Sequence, residues 1–267
     1  MVNNLVIGSE GFVGKSLCKF LEQKSEKVMH FDIKRTPDED ARSANLQLDK
    51  FDRVYFLAWD VGGAKYLYRD NTQLLQLDWN LRLMLNVLEQ LRQTPKPFIF
   101  ISSQLAEQYD TVYGVTKRLG EIWTHLLGGV RVRLWNVYGP IESINERSHV
   151  VSDFMVQAIK TGKIKMMTTG KERRQFIYID DVCAALHYGI TAGFQGVYDI
   201  TSFEWIQVMD VAKLISEITG AEVIPGDMVG STPITPIMGK MPGWLPKVSL
   251  EEGLKRMASK FEDEQDR

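Results

Sequence analysis

Two hydrophobic periods take turns along the chain. Short apolar runs rich in β-branched and aromatic residues stand at Asn4-Leu5-Val6-Ile7, Lys27-Val28-Met29-His30-Phe31, Arg53-Val54-Tyr55-Phe56-Leu57-Ala58, Phe98-Ile99-Phe100-Ile101 and Val130-Arg131-Val132-Arg133-Leu134. These read as buried strands. Between them the apolar residues recur three and four apart, as Leu17, Phe20 and Leu21 within 15–23, and as Leu74, Leu77, Leu81, Met84, Leu85, Leu88 and Leu91 within 71–92. That spacing predicts helices with one apolar face, the second of them stopped by Thr94-Pro95-Lys96-Pro97. Regular alternation of the two periods predicts an α/β fold, a doubly wound parallel sheet with helices on both faces. Residues 34–52 break the rhythm: polar, acidic and interrupted by Pro37, they leave little room for a further helix and strand. Tyr198-Asp199-Ile200-Thr201 reads as the last sheet strand.

Composition narrows the classes. At 267 residues, 44% hydrophobic and 25% charged, the chain buries a full core as one large domain or one and a half. A net charge of -2 carries no basic footprint for nucleic acid or an anionic membrane. The one basic cluster, Lys171-Glu172-Arg173-Arg174, is a solvated loop or a local phosphate site. Cys18 and Cys183 fall in helical apolar patterns without metal-ligand spacing, which predicts packed thiols in a reducing cytosol. No stretch approaches the roughly 18 apolar residues of a membrane span. The expectation is a soluble cytoplasmic protein with no metal.

The candidate chemistry sits at the ends of the predicted strands. Gly8, Gly11 and Gly14 stand three apart between the first strand and the first helix, as a pyrophosphate cradle requires: a tight turn, bare backbone near the phosphate and close helix packing. Asp32 ends the second strand, where a carboxylate accepts both ribose hydroxyls of NAD and repels a 2′-phosphate; Lys34 and Arg35 follow and would serve NADP instead. Ser102 and Ser103 close the fourth strand at the edge where open α/β sheets bind ligands. Tyr113-Gly114-Val115-Thr116-Lys117 opens a helix and puts a phenol and an ammonium one turn apart on one face. A phenol is a poor base at neutral pH, and a nearby ammonium favours its ionised form.

These motifs, with Asn136-Val137-Tyr138-Gly139-Pro140, Arg174-Gln175-Phe176-Ile177-Tyr178-Ile179-Asp180-Asp181-Val182 and the closing stretch Gly243 to Leu254, resemble the extended short-chain dehydrogenase/reductase family, specifically its nucleotide-sugar epimerases, dehydratases and reductases. The resemblance runs over nearly the whole chain. It implies a Rossmann-type domain over 1–140 and about 175–200, and a smaller substrate-binding cap from about 141–174 and 201–267. NAD, with NADP possible, would be held by Gly8, Gly11, Phe12, Val13, Gly14, Asp32, Leu57 and Ala58 together with Tyr113 and Lys117. Tyr113 would be the acid/base, Lys117 would bind the nicotinamide ribose, and Ser102 or Ser103 would bond the reacting sugar oxygen. Gly62, Gln104, Asn136 and Arg174 would meet the nucleotide sugar, the guanidinium of Arg174 being suited to a diphosphate.

The resemblance leaves the reaction open. Hydride removal and return through a transient 4-keto sugar makes a 4-epimerase. The family's dehydratases carry an Asp-Glu pair where Gln104-Leu105 stand, which argues against dehydration. The loop Leu57 to Gly63 and the segment Ser148 to Phe154 are similar to GDP-fucose synthase and GDP-mannose 3,5-epimerase, which tilts the substrate toward GDP and makes His149 a candidate general acid. Their catalytic cysteine is Gln104 here, so a single-centre epimerase or a 4-keto reductase is favoured over a two-base 3,5-epimerase. Otherwise His149 is a helix-entry residue. A redox-sensing NAD(P)-binding regulator is the alternative outside enzymes, though such proteins usually lose the tyrosine or lysine. Leu119, Ile122, Trp123 and Leu126 would pair with a second copy in a homodimer, or pack within the chain.

Overall fold

The computed structural model describes residues 1–61, 66, 70–140, 149–232 and 235–265. Its centre is a six-stranded sheet made of β1 (Asn3–Ile7), β2 (Lys27–Phe31), β3 (Arg53–Phe56), β4 (Phe98–Ser103), β5 (Val130–Leu134) and β10 (Gly196–Ile200). All its strands are parallel, in the order β2-β1-β3-β4-β5-β10. Strand β2 lies on one side of β1 and β3 on the other, so the order reverses there and a crevice opens beyond the carboxyl ends of these strands.

Alternation along the strands feeds two cores. Val6, Tyr55, Ile99 and Val132 point to the face covered by α1 (Phe12–Gln23) and α5 (Ile179–Thr191), where they meet Leu17, Leu21 and Leu186. Leu5, Ile7, Val54, Phe56 and Phe100 point to the other face and meet Leu83, Val87 and Leu88 of α2 (Asp70–Gln93). Helix α3 (Val112–Leu126) packs beside α2 and over β4. The first core continues without a break into the C-terminal elements α4 (Val150–Thr161), α6 (Val208–Thr219) and α7 (Leu250–Gln265), through Met155, Val211, Ile215, Leu254 and Met257. Three two-stranded pairings connect these elements: β6 (Asn136–Tyr138) with β9 (Phe176–Tyr178), β7 (Lys163–Lys165) with β12 (Glu222–Ile224), and β8 (Arg173–Arg174) with β11 (Ile206–Gln207).

Residues 34–52 contain two single 3-10 turns, Pro37–Glu39 and Leu48–Lys50, and no strand, so β2 is the sheet edge. Helix α2 departs from its periodicity. Leu74 and Leu85 are 78% and 56% exposed, while Gln76 and Asn80 face inward. The reason is polar: Asn80 bonds the backbone N–H and carbonyl of Asp60, and Gln76 bonds Tyr66 O, so this end of the helix secures a loop at the crevice rather than apolar strand residues. Both cysteines are buried free thiols, and burial pushes Cys18 up to about 12. No helix among the described residues is long and apolar enough to cross a membrane.

Candidate active site

A cleft of about 620 Å³ follows the carboxyl ends of β1, β3, β4 and β5 and reaches the C-terminal elements at Arg174 and Ser231. One end is the glycine loop. Gly8 has φ +94°, and a Cβ there would lie 2.5 Å from Ala58 N. At Gly14 a Cβ would lie 2.1 Å from Gly8 O, so helix α1 packs closely on the turn only because both residues lack side chains. Gly11 is the N-cap of α1 and offers no side-chain cap, which leaves the first-turn N–H groups for a ligand. Phe12, Val13, Leu57 and Ala58 line the same space, the last two bonded through their N–H groups to Ile7 O. Asp32 is fixed by accepting from the N–H of Glu10 (3.0 Å) and of Lys34 (2.9 Å). Of the two cations that would favour a 2′-phosphate, Arg35 is paired with Glu10 and Glu39 and Lys34 lines the cleft beside Asp32. These features fit a dinucleotide without a 2′-phosphate: bare backbone at a helix N-terminus for the pyrophosphate, a fixed carboxylate for the ribose.

The other end carries the phenol. Thr111 caps α3 by accepting from Gly114 N (3.0 Å), and the helix puts Tyr113 and Lys117 into the cleft wall together. Gly114 is required here because a Cβ would lie 2.1 Å from Gln108 O. Lys117 is buried and its Nζ donates to Ile101 O at 2.6 Å. Burial drives its ammonium well below the usual lysine value, and Glu121 one turn on opposes that. The two serines separate. Ser102 lines the cleft but donates to Glu121 Oε1 at 2.6 Å, so its proton is engaged within the protein. Ser103 Oγ accepts from Leu105 N (3.2 Å) and keeps its hydroxyl proton to donate. Gln104 is buried beside them on the cleft wall, its Oε1 without a donor among the described residues.

Asn136 donates to Gln175 O (2.9 Å), which ties β6 to the strand preceding α5 while its side chain lines the cleft. Arg174 lines it from β8. His149, the N-cap of α4, stands at its wall with open surface. Protein crowded round the ring lowers its pKa by desolvation, a tendency limited by the solvent the open surface admits. Gly62 lies outside the described residues. Asp60, Trp59, Trp135 and Arg42 also line the cleft. Trp135 is held by Asp199, which accepts from its Nε1 at 2.8 Å. Arg42 was not foreseen; its guanidinium is paired with Asp40 at 2.7 Å and lies over the Trp79 ring at 4.3 Å, a contact that a polar stretch without periodicity does not announce. Among the described residues no His, Cys, Asp and Glu cluster would hold a metal.

The family model described as the NAD dependent epimerase/dehydratase family matches residues 4–201. The chain belongs to that family. Members use NAD, and the glycine loop and Asp32 are built for it. A UDP-glucuronic acid decarboxylase of Arabidopsis thaliana is 24% identical over 96% of this chain and 69% of its own length. A second from the same plant is 28% identical over 51% of this chain and 43% of its own. Among solved structures, the UDP-glucose 4-epimerase of Thermotoga maritima, bound to UDP-glucose, superposes with a TM-score of 0.79 at 22% identity, covering 98% of this chain and 99% of that one. The Thermus thermophilus UDP-glucose 4-epimerase, in complex with NAD, gives 0.78 at 20% identity over 97% and 99%. These likenesses establish a common fold.

Proposed function

We propose that this protein is an NAD-dependent nucleotide-sugar 4-epimerase. The observation that carries it is the wall at the end of β4, where Tyr113, Lys117 and the free hydroxyl of Ser103 stand together beside a buried amide, Gln104, that can neither give nor take a proton. Bound along the glycine loop and Asp32, NAD supplies a hydride acceptor and donor. Ser103 donates to the sugar's 4-oxygen and holds it against the phenol. Tyr113 would take the hydroxyl proton as the alcohol becomes a ketone and return it to the oxygen when the ketone is reduced on its other face. Lys117 favours the phenolate and binds the nicotinamide ribose. Arg174 and Asn136 meet the diphosphate and sugar, and a uridine nucleotide is favoured over guanosine because the named relatives act on UDP-sugars.

His149 is the histidine on the cleft wall and has no step in single-centre epimerisation. A second copy fits the exposed apolar faces of α2 and α3, with Leu74, Leu85, Leu119, Ile122 and Leu126 uncovered. Light scattering of wild type and Ile122→Lys tests that assembly.

The reaction is tested by proton NMR in heavy water, with the NAD-loaded protein given UDP-glucose, UDP-glucuronic acid, their GDP counterparts and 4-keto forms. Epimer without deuterium at C3 or C5, lost in Tyr113→Phe with nucleotide binding intact, is the expected result. Release of carbon dioxide from the uronic acid would make it a decarboxylase, and deuterium at C3 or C5 would bring in His149.

A further inference from the structure

Trp59 follows β3 immediately after the two residues that close on the glycine loop. Its ring meets Phe100 edge-on at 5.4 Å and Phe56 at 6.2 Å, which fixes it against the sheet. Its indole N–H is buried without an acceptor among the described residues, so no hydrogen bond explains its place. What the indole does touch is the pair on which proton transfer depends. The Lys117 Nζ lies 4.0 Å from the centre of the Trp59 ring, nearer than to Phe100 (5.1 Å) or Tyr113 (5.9 Å). Trp59 also packs on the Tyr66 and Tyr113 cluster.

A buried ammonium bonded to one carbonyl is poorly solvated, and burial alone favours its neutral form. An aromatic face favours the cation, most strongly when the aromatic is tryptophan and the site is dry. We propose that Trp59 is a positioning residue of the proton-transfer machinery: its indole face holds the Lys117 ammonium charged beside Tyr113, so that the phenol keeps the cation that makes it a base. This rests on Tyr113 being the acid/base. The other charged groups around the pair are Glu121 one turn along α3, Arg133 of β5 paired with it, Glu107 and Arg118 beyond it, and Asp60, which accepts from Tyr66 OH at 2.7 Å; His149 lines the same cleft. All of them remain when only Trp59 is changed.

The experiment is a tyrosinate titration at 295 nm of the full chain without added sugar, taking wild type minus Tyr113→Phe to isolate the Tyr113 signal. In Trp59→Leu and Trp59→Met that signal moves to higher pH, Trp59→Phe lies between them and wild type, and Lys117→Met reproduces the leucine result. Turnover at pH 7 falls about tenfold in the leucine variant and recovers as pH rises, the size of effect expected from a desolvated cation–π contact. A Tyr113 signal unmoved in whichever of the Leu and Met variants folds overturns the proposal and leaves Trp59 as packing. If instead Lys117→Met leaves the Tyr113 signal in place, or Tyr113→Phe turns over normally, the acid/base reading itself is wrong.

Discussion

Two buried cations lie on either side of β4 and are treated in opposite ways. Arg133 on β5 is 0% exposed and paired with carboxylates: Nε and Nη2 bond Glu121 at 2.6 and 2.7 Å, and Nη2 lies 2.7 Å from Glu107, while Nη1 has no partner among the described residues. Burial alone would lower its pKa, but the bonds to Glu121 and Glu107 outweigh it and hold the guanidinium more firmly charged. Lys117 has a carbonyl and aromatic faces and, among the described residues, no carboxylate in contact, and burial pushes its pKa down. Helix α3 carries both partners, Lys117 and Glu121, one turn apart. The difference separates two roles: the paired charge anchors α3 to the sheet, and the under-satisfied one lies on the cleft wall with Tyr113.

The largest effect comes from breaking the paired cluster. Glu121→Gln leaves a buried guanidinium with Glu107 alone and removes the bidentate contact, costing about 3 kcal/mol of stability, read as a lower urea midpoint with unchanged slope. Removing the strained cation goes the other way. Lys117→Met stabilises the fold by about 1–3 kcal/mol in denaturant titration while turnover is lost. The pH dependence has a defined sign. Because the folded-state pKa is depressed, the unfolded chain holds more protons between the folded value and the ordinary lysine value of about 10.4. Wild-type stability therefore rises with pH through that window, and its deficit against Lys117→Met grows as pH falls from about 10.

The serines sharpen the same contrast on a smaller scale. Ser102→Ala removes a donor from the buried carboxylate and lowers stability by about 1–2 kcal/mol with turnover nearly kept. Ser103→Ala leaves the denaturation midpoint near wild type and lowers kcat by about a hundredfold, as loss of an oriented donor to the reacting oxygen does. The smallest effect is expected from replacing the whole ion pair. Glu121→Leu with Arg133→Met removes both buried charges, leaves Glu107 with the partly exposed Arg118, and costs less than Glu121→Gln alone, because two apolar groups of similar volume need no desolvated partner. A double variant less stable than the single one would mean that the pair contributes more than its own desolvation.

Much of the cofactor side was legible because its signals are local. Gly8, Gly11 and Gly14 state a backbone requirement, and the structure shows the collisions a side chain would cause at the first and third. Asp32 was legible because a strand end fixes where its residue stands. The poverty of residues 34–52 correctly foretold the missing strand. Harder to read was α2, whose leucines suggested a uniform apolar face. Its amino-terminal half serves the Asp60 loop instead, and that polar demand comes from residues about 20 positions away.

What the sequence determined by itself is the order and type of the elements, the glycine turn, the acid at the end of β2 and the one-turn spacing of Tyr113 and Lys117. Each follows from steric and hydrogen-bonding rules acting over a few neighbouring residues. Only the tertiary structure decided that Ser102 donates to Glu121 while Ser103 accepts from Leu105, that Arg133 belongs with Glu121, and that Trp59 covers the ammonium. Those choices depend on which side chains meet across β3, β4, β5 and α3, and on which of them water can no longer reach. Desolvation turns an ordinary lysine into a tuned one, and it exists only once the elements have packed.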